Sequence, residues 1–265
     1  MSDLAINPSA SKSVQWALSD IATVTRRNVI RQFRVPEAIF FSTLQPIMFV
    51  LLFTFVFGGS IKVPGGYTNY LMPGIFVQTM VFGAVSTTIG LAEDLQSGLL
   101  ERFRALPMSR SAVLGGRTSA DFMRNMFVIV IMTAVGLLVG FRPQPNALDY
   151  ALACVIMLLF AYSLMWGFAY IGLAAPNAET AQLMSFPILF PLTFASSAFA
   201  PVSGMPGWLQ AFAAHQPVTQ AVDAARSLML GGTYTNTGAI WASLAWSIGL
   251  LAILAPLAVR KYRKV

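Results

Sequence analysis

The sequence predicts an all-helical integral membrane protein with six crossings, on three observations. Charged residues make up only 10% of the 265 residues, against roughly a quarter in a soluble domain. Apolar residues reach 56% and mean hydropathy is +0.68, more apolar surface than one core hides. The apolar residues also fall into six continuous runs, each near the ~20 residues that a helix needs to cross a bilayer.

The runs are 36–57, 70–92, 122–140, 150–174, 181–200 and 239–259. They are continuous rather than alternating in period two, which selects helices over a barrel. Pro46, Pro73, Pro187, Pro191 and Pro256 interrupt them; each removes a backbone donor and favours a kink. The domain organisation expected is a cytoplasmic arm over 1–35, a six-span unit over 36–259 and a basic tail over 260–265.

Lys and Arg set the orientation. Lys12, Arg26, Arg27, Arg31 and Arg34 precede the first run. Arg102, Arg104, Arg110, Arg117 and Arg124 lie between or at the edges of the second and third, and Arg260, Lys261, Arg263 and Lys264 follow the sixth. That is fourteen of the seventeen basic residues on one side, leaving Lys62, Arg142 and Arg226 on the other. The positive-inside rule places both termini in the cytoplasm, which an even number of crossings also requires. Within 13–34, Val14, Leu18, Ile21 and Val29 share one helical face and Arg27, Arg31 and Arg34 the opposite one. This predicts an amphipathic helix lying along the headgroups, with Pro36 in the first turn of the first span.

Several function classes are excluded. The net charge of +7 flanks the apolar runs instead of forming one patch, so no nucleic-acid partner is expected. Cys154 is the only cysteine and reads as a small buried hydrophobe. No cleavable leader is expected. No run carries an ionisable residue near its middle; Glu37, Arg124 and Arg260 sit at ends, where long side chains reach the interface. This disfavours ion coupling and intramembrane catalysis. There is no Ser–His–Asp set, carboxylate pair or metal-ligand cluster, and His215 reads as an interfacial histidine. None of the four lysines follows a glycine, so no P-loop is present.

The charged segment EDLQSGLLERFRALPMSRS, 93–111, stands between the second and third runs. Leu95, Leu99, Phe103 and Leu106 recur at helical spacing, with Glu93, Gln96, Ser97, Glu101 and Arg104 on other faces. Pro107 disfavours helix at Leu106. The pattern predicts a cytoplasmic helix of about three turns whose narrow apolar stripe, rimmed by both signs of charge, suits a groove on another protein.

Two stretches resemble a known family. GLLERFRALPMSRSAVLGGR (98–117) is similar to the signature of type-2 ABC exporter permeases. PNAETAQLMSFPILFPLTFASSAFAPVSGMPGWLQAFAAHQPVTQAVDAAR (176–226) resembles the same family, especially its daunorubicin-resistance branch in actinobacteria. A departure is HQP at 215–217, where relatives often carry NP. The resemblance implies a non-catalytic permease subunit in a bacterial plasma membrane, binding no cofactor itself. Two ATPase subunits would carry ATP and Mg, and a second permease, identical or related, would complete the complex. It implies that Leu95, Ser97, Gly98, Leu99, Glu101, Arg102, Phe103 and Arg104 form a coupling helix seated on the ATPase. It also implies short outer re-entrant helices over 201–232. There Trp208, Leu209 and Phe212 dip into the interface, Asp223 and Arg226 pair at i,i+3, and Gly231 and Gly232 end a helix. An apolar cavity for amphipathic substrates is expected to draw on Phe40, Phe41, Met48, Gln78, Phe82, Phe186, Phe190 and Phe194. Export driven by a separate ATPase leads the alternatives of a secondary transporter or channel acting alone and a membrane anchor.

Overall fold

A computed structural model describes residues 10–34, 36–99, 110–143 and 146–264. Helices α1 (Ala10–Phe33) and α2 (Pro36–Leu52) come first, and α2 runs directly into a π-helical turn, Phe53–Phe57. Four further long or medium helices follow: α3 (Tyr67–Gln96), α4 (Arg110–Val139), α5 (Ala147–Ala174) and α6 (Ala178–Phe194). Two short helices, α7 (Gly207–His215) and α8 (Pro217–Leu230), precede the final α9 (Thr237–Lys264). Among the described residues there is no strand.

Four of these helices are long and apolar enough to cross a membrane: α3, α4 from Val113, α5 and α9. Helix α3 is the central one, buried along most of its apolar length, whereas α9 turns most of its apolar window outward. The outward faces are apolar: Leu138 is 87% exposed, Val130 67% and Trp241 68%. A water-soluble chain would not present such continuous apolar faces, and lipid accounts for them.

The first run is helical from Pro36 to Leu52 and ends in the π turn, Phe53–Phe57, a departure from regular α-helix. The fifth run departs further from expectation. Helix α6 stops at Phe194, and 195–201 is irregular although Ser196, Ser197, Ala198 and Phe199 are buried. Buried irregular backbone persists only when its polar groups find partners. Here Gln216 Nε2 donates to the Leu192 and Ala195 carbonyls at 2.8 and 3.1 Å. Tyr67 Oη donates to Phe199 O at 2.9 Å and Tyr70 Oη to Ser197 O at 3.0 Å, while Ser197 N donates to Thr219 Oγ1 at 3.2 Å. Pro191 lies in the last turn of α6, where its missing donor and fixed ring favour the departure.

Glycine sets two close helix approaches. A Cβ at Gly172 on α5 would lie 2.5 Å from the Thr88 carbonyl oxygen of α3, and Thr88 Oγ1 donates to Phe168 O across the same contact at 2.8 Å. Helix α1 rests on α4: a Cβ at Gly116 would lie 2.5 Å from Val24 Cβ. The inward face of α1 therefore carries Val24 and Asn28, both 3% exposed. Ile21 of the expected stripe faces α4 too, 3.4 Å from a Cβ at Gly115, so the neighbour on this side is a helix of the same chain; the side chains of Val14 and Leu18 lie outside the described residues.

Candidate functional site

Three constellations stand out. The first is a half-open cavity of about 400 Å³ lined by α2, α3, α4 and α6. Phe49, Phe82, Phe186 and Phe190 supply its aromatic wall, and Gln45, Gln78, Ser86, Arg124, Asn125 and Gln182 its polar groups. The rings continue along one face of the bundle. Phe82 meets Phe190 edge-on at 5.9 Å, and Phe190 stacks on Phe194 at 5.5 Å. Phe194 stacks on Phe199 at 5.2 Å, and Phe199 on Phe53 of the π turn at 4.6 Å. A π turn often marks a functional site, and this one carries the aromatic ladder out to Phe57, stacked on Phe53 at 5.2 Å.

Of the residues expected to line a cavity, Gln78, Phe82, Phe186 and Phe190 meet there. Phe194 belongs to the ladder but not to the wall, and Met48, 57% exposed, points away from the cavity. The side chains of Phe40 and Phe41 lie outside the described residues. Arg124 departs from expectation. It keeps its place at the start of the apolar run, but its side chain turns inward to α3 instead of reaching for the interface. Its Nη1 donates to Ser86 Oγ at 2.8 Å and its Nη2 to Gly83 O at 2.7 Å. Neither acceptor is near Arg124 in sequence. The readable signal was weaker: amides at Gln45, Gln78 and Gln182 inside apolar runs, where polar groups need partners.

The second constellation joins α3 and α8. Arg226, 3% exposed, pairs with Asp223 at 2.6 Å as its i,i+3 spacing foretold. The guanidinium also lies 3.7 Å from the centroid of the Tyr70 ring. It donates to Tyr70 O at 3.2 and 3.1 Å and to Ser197 O at 2.9 Å. Ser197 Oγ closes the network by donating to Asp223 Oδ1 at 2.7 Å. The neighbouring α7 places Trp208 and Phe212 outward, 77% and 46% exposed, with Leu209 half-buried. The left-handed Gly231 and Gly232, at φ 58° and 54°, end α8, a conformation that glycine adopts without strain.

The third constellation clamps the two helices that flank the charged segment. Arg117 of α4 lies 3.7 Å from Asp94 of α3 and 3.6 Å from Asp121. Its Nη2 donates to Ser86 O at 3.2 Å, and Thr87 Oγ1 donates to Asp121 Oδ2 at 2.6 Å. Gly90 leaves the room: a Cβ there would overlap the Arg117 guanidinium. Beside this clamp Leu91, Val113, Leu114, Trp166 and Tyr262 form a small apolar cluster.

The single helix expected from Leu95 to Arg104 is interrupted. Helix α3 continues to Gln96, the chain turns at Ser97 and Gly98 with Gly98 at φ 66°, and helix resumes at Leu99. Leu95 is on the near side of the turn, packed against the apolar cluster, so it belongs to the long span rather than to the stripe. A left-handed glycine is the usual end of a helix, and the apolar spacing hid it because Leu95 and Leu99 stay four residues apart. Glu101, Arg102, Phe103 and Arg104 lie outside the described residues.

Comparison with known proteins places this geometry. The ABC-2 type transporter family matches residues 19–230. The daunorubicin resistance ABC transporter permease protein DrrB1 of Streptomyces coeruleorubidus is 35% identical over 222 residues, covering 83% of this chain and 77% of that protein. A probable doxorubicin resistance ABC transporter permease protein, DrrC of Mycobacterium tuberculosis, is 24% identical over 269 residues, covering 95% of this chain and 91% of its own length. A putative transport permease, ycf38 of Porphyra purpurea, is 24% identical over 227 residues, covering 83% and 75%. With four apolar helices of spanning length and a match over most of its residues, the chain belongs to the ABC-2 type transporter family, as a membrane permease subunit.

Proposed function

We propose that this permease is the membrane half of a bacterial exporter that moves amphipathic drug-like or lipid-like molecules out of the cytoplasm or inner leaflet. A separate ATPase subunit, in two copies, binds ATP and Mg and hydrolyses the nucleotide. A second permease, identical or homologous, completes the pathway. The chain crosses the plasma membrane six times, with α2 and its π turn as the first crossing and α6 as the fifth, and both termini face the cytoplasm. Helices α7 and α8 form the outer re-entrant element.

The observation that carries this reading is the clamp at Arg117. The segment 97–109 joins α3 to α4, and those helices are tied by the Arg117–Asp94 pair, by Arg117 Nη2 donating to Ser86 O and by Thr87 Oγ1 donating to Asp121. A push on the segment from a closing ATPase therefore moves both helices as one. Both line the cavity, so the same motion reshapes it, as alternating access requires. Glu101 and Arg104 serve as polar anchors on the ATPase and Leu99 and Phe103 as apolar ones.

Charge reversal, Glu101→Arg, is expected to reduce copurification with the ATPase and to lower ATP-driven export about tenfold or more, because like charges replace a complementary contact. Pull-down of the ATPase and export from inverted vesicles measure the two effects. A variant that keeps both at the wild-type level removes Glu101 from the contact.

A further inference from the structure

We propose that the cavity seats the anionic end of its amphipathic substrate, with Arg124 and Asn125 taking the anion's oxygens and the phenylalanine wall taking the apolar body. This deepens the exporter reading and rests on it. Arg124 is held by two neutral acceptors, Ser86 Oγ and Gly83 O. A guanidinium carries five N–H donors, so those two bonds orient the group without using it up. Among the described residues no Asp or Glu lines the cavity, so those residues supply no countercharge.

Two buried amides sharpen the preference. Asn125 and Gln78 are each 3% exposed. Asn125 Nδ2 and Gln78 Oε1 have no hydrogen-bond partner among the described residues. Buried polar atoms are normally satisfied, and both residues line the cavity. A substrate bearing an anion and a nearby hydroxyl or N–H satisfies both: Asn125 donates to the anion, and Gln78 accepts from the donor.

Arg124 and Asn125 converge on one place. A Cβ at Gly83 would lie 3.0 Å from Arg124 Nη2 and 3.1 Å from Asn125 Oδ1, so glycine lets both side chains pack against α3 at this corner. Across the cavity stand Phe82, Phe186 and Phe190, which fit an acyl or ring system. Arg124 lies at the cytoplasmic end of the apolar run 122–140, the depth of inner-leaflet headgroups under the proposed orientation. An amphipath lying in that leaflet carries its charge at this depth. A cationic amphipath would meet the guanidinium with no carboxylate among the described lining residues.

The shared chemistry is an anionic oxygen cluster on an apolar body, which either a lipid or a free amphipath supplies. The test is equilibrium binding by the purified chain in phosphatidylcholine nanodiscs. One probe is a dodecanoate carrying a terminal nitrobenzoxadiazole fluorophore; the other is the matching dodecyltrimethylammonium. The expected result is about tenfold tighter binding of the carboxylate. Arg124→Gln abolishes that preference without weakening the cation, Arg124→Lys retains most of it, and Asn125→Leu weakens the carboxylate several-fold. Should Arg124→Gln not fold, Arg124→Lys and Asn125→Leu carry the test. Competition by phosphatidic acid placed in the disc identifies a lipid source, and its failure beside tight carboxylate binding identifies a free amphipath; either supports the site. Equal affinity for both probes, or folded Arg124→Gln or Asn125→Leu with unchanged carboxylate binding, overturns it. Binding is measured without the ATPase, so the two readings fail separately. A complex that pumps the cation and ignores the carboxylate sinks the anion site alone. One that binds the carboxylate yet moves nothing on ATP sinks the exporter alone.

Discussion

Replacing Arg226 with methionine is expected to cost the folded chain about 3 kcal/mol or more, since hydrogen bonds to a charged group contribute about 1.5–3 kcal/mol each. The guanidinium is 3% exposed and serves four partners: the Tyr70 carbonyl, the Ser197 carbonyl, the Asp223 carboxylate and the face of the Tyr70 ring. Methionine fills the volume but leaves two buried carbonyls without that donor. One of them, Ser197 O, belongs to the irregular segment after α6 and keeps only the Tyr70 hydroxyl. Arg226→Lys keeps the charge but not the planar fork, so it recovers only part of the loss. Asp223→Asn is expected to cost less than Arg226→Met: the carboxylate is 29% exposed, and the amide oxygen can still accept from Arg226 while both buried carbonyls keep their donor. Unfolding of the purified variants in mixed micelles gives this order. Equal losses for Arg226→Met and Asp223→Asn would show that the ion pair, rather than the carbonyl contacts, carries the stability.

Gly74→Ala should disturb the same place from the other side. A Cβ on Gly74 would overlap the Ala198 carbonyl oxygen and come within 2.7 Å of its carbon and 2.8 Å of its Cα. All three are backbone atoms, so no rotamer change relieves the clash. Overpacking of this kind costs about 1–3 kcal/mol, and the upper end is expected because α3 is buried here. The displaced segment carries Ser197 and Phe199, so the contacts from Tyr67, Tyr70 and Arg226 loosen together. Gly74→Ala combined with Arg226→Met should therefore cost less than the sum of the two, as mutations on one network do. Gly249 on α9 is the control. A Cβ there meets nothing within 4 Å, so Gly249→Ala is expected to be neutral or mildly stabilising. Thermal unfolding of the two glycine variants side by side separates them; a neutral Gly74→Ala would mean that α3 and the 195–199 segment do not touch as described.

What was legible in the sequence was set by the solvent. A bilayer demands long apolar runs, so the helical class and the helices α3, α4, α5 and α9 were readable from hydropathy. Their ends were not. Helix α3 runs on to Gln96 and α4 starts at Arg110, because polar turns that leave the membrane carry no hydropathy signal. Asp223 and Arg226 could be paired because both lie on one helix. The Tyr70 and Ser197 carbonyls are 156 and 29 residues from Arg226, and nothing local announces them. The inward turn of Arg124 was unreadable for the same reason: its acceptors belong to α3. The turn at Gly98 hid behind the unbroken spacing of Leu95 and Leu99, where apolar period and backbone path part company. Half of the expected cavity residues met in one place because Gln78 and Phe82 are one helical turn apart on α3, as Phe186 and Phe190 are on α6.

The division of labour between a membrane path and an external motor is tested most directly by reconstitution. Proteoliposomes are prepared with the permease alone, with its ATPase alone and with both, and uptake of a fluorescent amphipath against its gradient is followed after ATP addition. Uphill accumulation is expected only where both proteins are present, and it should vanish in the Glu101→Arg variant. Uphill accumulation by the permease alone, driven by an imposed ion gradient without nucleotide, would contradict it.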